Sequence, residues 1–441
     1  MAFAPGAGCV CGTSGRRVGS VVLRTLPAWC ALVALAVVAA AAAPADDPAS
    51  LGGPEPVPIP VAAPAPLALW VLAEGSQRVL ENPERIPALL ADARALGASD
   101  LFVQVYRRGV AWWPSELARP AERWAEARAA RPEAPDPVAA LLAAAHAQGL
   151  RVHAWVNVLS LADNAEAAVL ADLGPAALQV DRKGRSILDY PEGEMPEPEA
   201  PHLRMGTPAV WLDPAAPGLG DWYARLVAEL FGRYPELDGL HLDYLRYPDV
   251  LPFSPGARFG VGMDFGYGAI SRERFREDTG LTAPVDGQLA HANAWDDWRR
   301  EQVTGVLGRM RAALAAAAPR AALSAAVFPH PERAYLSIHQ DWLGWLEAGL
   351  LEFAVPMLYT RDERLLRYQA AAFPGGVEGH KVWAGLGTWL FRADPAVAVA
   401  QLQTARRLGV AGHALFSWDA IADAPALRAA LAEEAARVAQ R

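Results

Sequence analysis

One acidic residue, Asp243, stands where a carboxyl group could transfer protons. It lies in the segment Leu237–Pro248, where two leucines alternate with His241 and Asp243, the side-chain period of a β-strand. If this strand belongs to a closed parallel barrel, both of its faces are enclosed and Asp243 lies at the C-terminal mouth, where such barrels carry their chemistry. If the strand is instead exposed and antiparallel, the same aspartate caps the next turn. The segment alone leaves both interpretations open, so the other predicted strands must decide between them.

The rest of the chain repeats a strand followed by helical sequence, an order that favours a parallel sheet. The predicted strands are 67–74, 101–106, 151–157, 237–244, 321–328, 351–359, 381–386 and 410–417. Eight such units predict an α/β fold, a single (β/α)8 TIM barrel whose strand ends meet at one mouth. The long irregular stretches 158–216 and 252–268 are predicted to be elaborated βα loops.

The first 66 residues are predicted to lie outside the barrel. Residues 1–43 combine three arginines, an apolar run and small residues before Pro44, the pattern of a secretory signal peptide. The apolar run is short for a membrane anchor, so we expect no integral membrane span in the mature protein. Residues 44–66 hold eight prolines among small residues and predict a stiff Pro/Ala-rich linker. The barrel domain is then 67–441, in an exported protein that is periplasmic or extracellular.

Cysteine usage and charge exclude several classes of function. All three cysteines (Cys9, Cys11 and Cys30) fall in the predicted signal peptide, so the exported part has no disulfide and no thiol chemistry. Removing the three arginines of that segment from 40 basic residues leaves 37 against 49 acidic ones, a net charge of −12. That balance does not indicate a nucleic acid or an anionic membrane as a partner. The nine histidines are dispersed and the first strand has no His-x-His, so no metal site or cofactor is expected.

Five blocks of sequence, in this order, carry a family resemblance. They are Asp238–Pro248, Phe259–Gly280, Leu323–Pro329, Gln340–Gly349 and Pro356–Thr360. Together they resemble the glycosyl-hydrolase-like 10 family, barrel proteins of bacterial envelopes. The resemblance implies glycoside hydrolysis of a polysaccharide, with cell-wall glycan as the expected substrate. Many relatives have two successive acids at the end of the fourth strand, and here the second place is Tyr244, so a role of that second acid is not carried over.

Glycoside hydrolysis ordinarily needs two carboxyl groups, one acting as the acid and one as the base or nucleophile. Asp243 is the first catalytic candidate. The second is sought among Glu74, Asp362 and Asp419, which each lie at or just after the end of a predicted strand. Glu352 is set aside because it lies at the start of the sixth strand, at the other end of the barrel.

Further candidates would bind or orient the substrate. His241 is either a hydrogen-bonded core histidine or a group that orients Asp243. Arg246 either holds Asp243 ionised or pairs with a surface acid. Asn157 and five aromatic residues lie near strand ends, where flat rings suit stacking on sugars or pack beneath the loops: Tyr106, Trp155, Tyr359, Trp389 and Trp418. A non-catalytic glycan-binding barrel protein is the alternative function, because Tyr244 replaces an acid.

Overall fold

Eight parallel strands close into a barrel because the first strand pairs with both the second and the last. The computed structural model describes residues 65–190, 194–195, 197–252, 263–285, 290–376 and 378–440. The barrel strands are β1 (Leu67–Val71), β2 (Asp100–Arg107), β3 (Arg151–Asn157), β4 (Gly239–Asp243), β5 (Ala322–Val327), β6 (Phe353–Leu358), β7 (Trp383–Gly387) and β8 (Gly412–Phe416). Neighbouring strands follow chain order, which confirms the predicted single (β/α)8 barrel.

Helices surround the barrel and alternate with its strands. Among the described residues they are α1 (Ile86–Ala95), α2 (Glu122–Ala130), α3 (Pro137–His146), α4 (Ala168–Leu173), α5 (Leu219–Arg233), α6 (Ala269–Thr279), α7 (Ala292–Ala317), α8 (Pro331–Ser337), α9 (Trp342–Glu347), α10 (Glu363–Ala371), α11 (Pro395–Arg407), α12 (Trp418–Ala422) and α13 (Pro425–Ala439). Several begin with proline at their first turn, where its missing N–H has no intrahelical partner to lose.

The barrel interior is a packed core, in keeping with its size. Phe102 stacks on His241 with their ring centroids 4.1 Å apart, and Phe353 stacks on Trp383 at 4.2 Å. On the outer face, the leucines and valines of the strands pack beneath the helices. Every residue of β4 is buried, which decides between the two interpretations of this strand. His241 and Asp243 belong to the enclosed inner face of a barrel and not to an exposed antiparallel strand.

A β-bulge in β2 changes which of its side chains face inward. Gln104 pairs with Trp155 while Tyr106 pairs with the next residue of β3, Val156, so two residues of β2 oppose one residue of β3. A bulge of this kind disturbs the alternation of side chains. Tyr106 therefore packs outside the barrel, and the side chain of Arg107 reaches the mouth.

The elaborated loops lie over the mouth of the barrel. Residues 158–216 include α4 and a short strand, Leu203–Met205, that pairs antiparallel with Val250–Pro252 in the loop after β4. The loops after β3 and β4 are therefore joined to each other. The predicted signal peptide and all but the last two residues of the predicted linker lie outside the described residues, as do 253–262 of the second long loop. In the described ranges, no helix combines the length and the apolar character needed to cross a bilayer.

The inner aromatic layer should dominate the stability of the barrel. We expect Phe102→Ala to lower the free energy of unfolding by about 3–5 kcal/mol, because the substitution removes the ring that stacks on His241 and leaves a cavity in the core. The measurement is the shift in urea denaturation, with Leu336→Ala as the control. Leu336 is 56% exposed, and its truncation should stay within about 0.5 kcal/mol. Equal effects of the two substitutions would contradict a packed interior.

Candidate active site

The C-terminal ends of the barrel strands surround a cavity of about 370 Å³. Half of the candidates from the sequence line it: Glu74, Trp155, Asn157, Asp243, Arg246 and Tyr359. The other lining residues are Trp70, Leu72, Gln104, Arg107, Thr207, Tyr244, Ala326, Phe328, Met357 and Phe416. The lining thus combines aromatic rings, hydrogen-bonding side chains and two carboxyl groups, the composition of a site for a polar ligand with apolar faces.

Asp243 ends β4 at the floor of this cavity and is only 8% exposed. Burial raises the pKa of its carboxyl from 3.8 to about 6. The Tyr244 backbone N–H donates to Asp243 Oδ1 at 2.7 Å and opposes that shift, as do Arg246 and the nearby Trp155 indole. The Trp155 N–H is itself buried and lies near the Asp243 carboxyl, without a hydrogen bond of good geometry among the described residues. At weakly acidic pH, Asp243 can therefore exist as a neutral acid.

Tyr244 adopts a left-handed backbone conformation with φ of 55°, which is uncommon for a residue with a bulky side chain. This conformation accompanies the hydrogen bond from the Tyr244 N–H to the side chain of Asp243. Its ring lines the cavity and contacts Trp211, with the ring centroids 5.8 Å apart. Backbone strain of this kind is held in place by surrounding packing and is common at functional sites.

Glu74 is the second carboxyl group of the cavity lining. It lies in the loop after β1, and its side chain is 21% exposed. Arg107 forms an ion pair with Glu74 Oε2, and Arg108 Nη1 lies 3.2 Å from Oε1. Two guanidinium groups therefore compensate the negative charge of this carboxylate. Glu74 and Asp243 thus occupy opposite electrostatic environments in one cavity.

Arg246 is buried at the cavity wall and forms its ion pair with Asp249, at 3.1 Å. Its guanidinium also lies over the rings of Phe328 and Trp211, 4.8 and 4.9 Å from their centroids. Arg246 therefore pairs with an acid, but that acid is buried and not at the surface as the sequence analysis considered. Arg246 acts on Asp243 only through space, by favouring its charged form.

Aromatic side chains form one side of the site. Tyr359 lines the cavity and packs against Phe416 with their ring centroids 5.5 Å apart. Trp389 follows β7 in a short 3-10 helix, is 46% exposed and lies beside the cavity, outside its lining. A Cβ on Gly387 would lie 3.1 Å from Tyr359 and 3.2 Å from Trp389, so a glycine lets these rings approach the strand end. The exposed Trp389 ring is free to stack on a sugar.

Three predicted binding residues are packed away from the cavity. His241 lies one layer deeper, where it accepts a hydrogen bond from Trp70 Nε1 at 3.0 Å and pairs with Ser324 Oγ at 2.9 Å. Burial lowers its pKa well below the ordinary value, so it is a neutral core histidine. Tyr106 faces the helices because of the bulge in β2. Trp418 is 1% exposed, and its indole donates to Asp92, which ties α12 to α1.

The two remaining acid candidates have structural partners. Asp362 is exposed and caps α10, accepting the N–H groups of Arg364 and Leu365. Asp419 is 3% exposed and accepts the N–H groups of Leu72 at 3.2 Å and Gln77 at 3.0 Å. Through these two hydrogen bonds, Asp419 anchors the loop that places Glu74 in the lining of the cavity.

Glycine is required at position 75 of this loop, since a Cβ there would lie 2.0 Å from the Asp419 carboxylate. The same hydrogen bonds explain why β1 ends at Val71 and not at the predicted Glu74.

Two polar residues of β2, Arg107 and Gln104, are among the lining residues that the sequence analysis did not propose. Arg107 could not be predicted to face the cavity, because its orientation depends on the bulge in β2 and the alternation of residues in the sequence does not indicate a bulge. Gln104 donates from Nε2 to Asn157 Oδ1 at 3.2 Å and accepts the N–H of Ala73 at 3.3 Å. Gln104 could have been found, because an amide within an otherwise apolar strand must meet a partner or a ligand. In the part of the chain that the structure describes, no group of three or more His, Cys, Asp or Glu side chains is arranged to hold a metal ion.

Comparison with known proteins identifies the family. Residues 67–374 match the family described as glycosyl hydrolase-like 10. The chain belongs to this family. Glycosyl hydrolase DigH of Escherichia coli K12 is 25% identical over 301 residues, covering 63% of this chain and 58% of DigH. Glycosyl hydrolase YngK of Bacillus subtilis 168 is 21% identical over 310 residues, covering 67% of this chain and 52% of YngK. The chain thus spans little more than half the length of these relatives.

Two solved structures with a similar barrel are glycosidases of low sequence identity. The PgaB (BpsB) glycoside hydrolase domain from Bordetella bronchiseptica has a TM-score of 0.54 and 15% identity, covering 84% of this chain and 99% of that one. The β-galactosidase from Marinomonas ef1 has a TM-score of 0.52 and 14% identity, covering 85% and 59% of the two chains. These neighbours and the family together establish a TIM barrel of the glycoside hydrolase type.

The two hydrogen bonds by which Asp419 anchors the loop after β1 can be tested without an activity assay. In Asp419→Asn, an amide N–H group faces a backbone N–H group, and an unsatisfied buried group costs about 1–3 kcal/mol. We expect lower stability and faster hydrogen exchange at the amides of Leu72 and Gln77. The matched control is Asp362→Asn, because asparagine caps a helix as well as aspartate does. Unchanged hydrogen exchange at the two amides in Asp419→Asn would contradict the role of Asp419 in anchoring this loop.

The raised pKa of Asp243 predicts a pH-dependent stability difference. The neutral form is favoured by folding, so its contribution is fully present below pH 3.8 and is lost as the pH rises through about 6. The interval between these pKa values corresponds to up to about 3 kcal/mol. Asp243→Asn, which is always neutral, should therefore be more stable than the wild type at pH 8 and should lose this advantage near pH 4. Urea denaturation at both pH values measures the difference, and a constant difference would contradict the burial argument.

Proposed function

We propose that this protein hydrolyses glycosidic bonds of a polysaccharide, with Asp243 as the proton donor and Glu74 as the second carboxyl group. The supporting observation is that one cavity at the barrel mouth holds two carboxyl groups in contrasting environments. Burial favours the neutral form of Asp243, whereas two arginines compensate the charge of Glu74. Pairs of acids separated in this way take the roles of acid and base in catalysis.

In the proposed mechanism, neutral Asp243 gives its proton to the oxygen of the leaving sugar. The Tyr244 N–H holds one carboxyl oxygen at 2.7 Å, which fixes the orientation of the group and stabilises the carboxylate left after proton transfer. Because the site is enclosed by the barrel, the proton donor is shielded from bulk water.

Glu74 acts as the base or the nucleophile. In the first case its carboxylate removes a proton from a water molecule that attacks the anomeric carbon. In the second it attacks that carbon itself, and a water molecule that gives its proton to the Asp243 carboxylate then cleaves the bond between the sugar and Glu74. Arg107 and Arg108 hold the carboxylate at the mouth and keep a positive charge near it. Asp419 secures the loop from behind through two backbone N–H groups.

We propose cell-wall glycan as the substrate and a location outside the cytoplasm. Rings at the site, Trp155, Tyr359 and the exposed Trp389, suit the apolar faces of sugars, while Asn157 offers an amide to their hydroxyl groups. The relatives DigH and YngK are named glycosyl hydrolases. The arginines, apolar run and small residues of 1–43 support export.

A non-catalytic glycan-binding protein is the second candidate function. It is favoured by Tyr244, which stands where many relatives have a second acid beside the first. The ring of Tyr244 lines the cavity and can contact a sugar, but it does not supply a carboxyl group. A protein with this function would bind the glycan on the same aromatic side chains without cleaving it.

Peptide-stripped cell-wall glycan and mass spectrometry of released fragments test the proposal. We expect Asp243→Asn and Glu74→Gln each to lower kcat by about a hundredfold or more, because each removes a group required in the transition state. Wild-type kcat/KM should fall as the pH rises through about 6, where Asp243 loses its proton.

The control is Asp362→Asn, a helix cap outside the cavity, which should retain wild-type turnover. A folded Asp243→Asn protein with full activity would refute the assignment. A wild-type protein that binds the glycan and releases nothing would establish the non-catalytic function.

A further inference from the structure

A second cavity of about 420 Å³ lies beside the first, and Glu74 lines both. Its walls come from three loops at the same end of the barrel, the loops after β1, β2 and β3. The loop after β2 contains two short strands, Val110–Ala111 and Arg119–Pro120, which pair in parallel, and Asn164 belongs to the loop after β3. Because the shared residue is a proposed catalytic carboxylate, a molecule occupying both cavities would pass directly over it.

Three of the four arginines of this second cavity, Arg78, Arg108 and Arg123, form ion pairs with Glu74 or Glu81. Glu81 is only 7% exposed and binds Arg78 at 3.1 Å, Arg123 at 3.3 Å and the Trp112 indole N–H at 3.2 Å. Arg108 contacts Glu74 and, through its backbone oxygen, accepts the Asn164 side-chain amide at 2.7 Å. These contacts fix the wall between the two cavities.

Free hydrogen-bond donors remain at the rim. The side chain of Arg119 is exposed and makes no hydrogen bond or ion pair within the described ranges. The side chain of Arg123 is 67% exposed despite its bond to Glu81. Guanidinium groups donate and do not accept, so they match ligands rich in oxygen acceptors.

The charges of the residues that line the second cavity further restrict the class of ligand that it can bind. Four arginines, at 78, 108, 119 and 123, are balanced by four glutamates, at 74, 81, 122 and 166. A polyanion would meet no excess of positive charge in this cavity. The one large aromatic residue in its lining, Trp112, is 1% exposed and offers no face for stacking. The chemistry therefore favours a polar chain that presents mainly hydroxyl and carbonyl oxygens, with carboxylates spaced singly along it.

We infer that the second cavity binds the sugar units that continue the glycan chain beyond the bond to be cleaved, through hydrogen bonds from Arg119 and Arg123. The inference rests on the proposed function and extends it. Sugars stack on rings in the first cavity and are hydrogen-bonded in the second, with Glu74 between them. The protein then acts within a chain and requires several linked sugars, because binding energy from the distal units contributes to the rate at the reacting bond.

The test uses cell-wall glycan fragments fractionated from disaccharide to octasaccharide. For the wild type, kcat/KM should rise with fragment length until both cavities are filled. Arg119→Ala should lower the ratio of kcat/KM for long over short fragments about tenfold, the loss expected for one hydrogen bond to a charged group. Arg119 has no partner to leave unpaired, so the variant should fold, and adding Arg123→Ala should lower the ratio further.

The matched control is Arg320→Ala. Arg320 is an exposed arginine at the opposite end of the barrel, and its loss should leave the ratio unchanged. Calorimetric binding of the same fragments to Asp243→Asn, with and without Arg119→Ala, separates binding from cleavage.

Length-dependent binding that Arg119→Ala weakens supports the inference even if the wild type cleaves nothing, in which case only the proposed activity fails. Fragments of every length bound equally by both proteins, or by neither, would overturn it.

Discussion

Closure of the barrel is the constraint on which the rest of this structure depends. The pairing of β1 with β8 leaves no open edge, so a side chain on the inner face meets other side chains and not bulk water. Polar groups inside must then find partners. His241 does so with Trp70 and Ser324, and Gln104 does so with Asn157. At the C-terminal mouth this pairing is incomplete, and there Asp243 and Trp155 line the cavity.

The same enclosure gives the two carboxyl groups different properties. Asp243 lies at the end of a fully buried strand, so the loss of hydration raises its pKa. Glu74 lies in a loop at the rim, where Arg107 and Arg108 can reach it. An acid and a base can coexist in one site because depth in the barrel separates their environments. The division of roles proposed here follows from position, since both residues carry the same functional group.

The last unit of the chain positions the first. Asp419, in α12 after β8, accepts two backbone N–H groups of the loop after β1. The carboxylate would collide with any Cβ at position 75, so the fit depends on Gly75. Residues more than 340 positions apart are thereby joined beneath the cavity, and barrel closure becomes part of how Glu74 is held.

The order of strands and helices, the inward parity of Asp243 and the location of Glu352 at the far end of the barrel could all be predicted from the sequence. These features follow from local periodicity, which every strand carries in its own residues. Gln104 was open to the same reasoning, because a polar residue in an apolar strand is a local signal.

Other features could be seen only in the tertiary structure, because they depend on contacts between residues that are distant in the chain. The bulge opposite Val156 turns Tyr106 outward and brings Arg107 to the mouth, and strand register depends on the partner strand as well as on the residue itself. Acids at three strand ends looked equivalent, yet Asp362 caps a helix, Asp419 holds a loop and Glu74 reaches the cavity. Their roles differ because hydrogen-bond partners are chosen by position in space, and the closed barrel sets those positions.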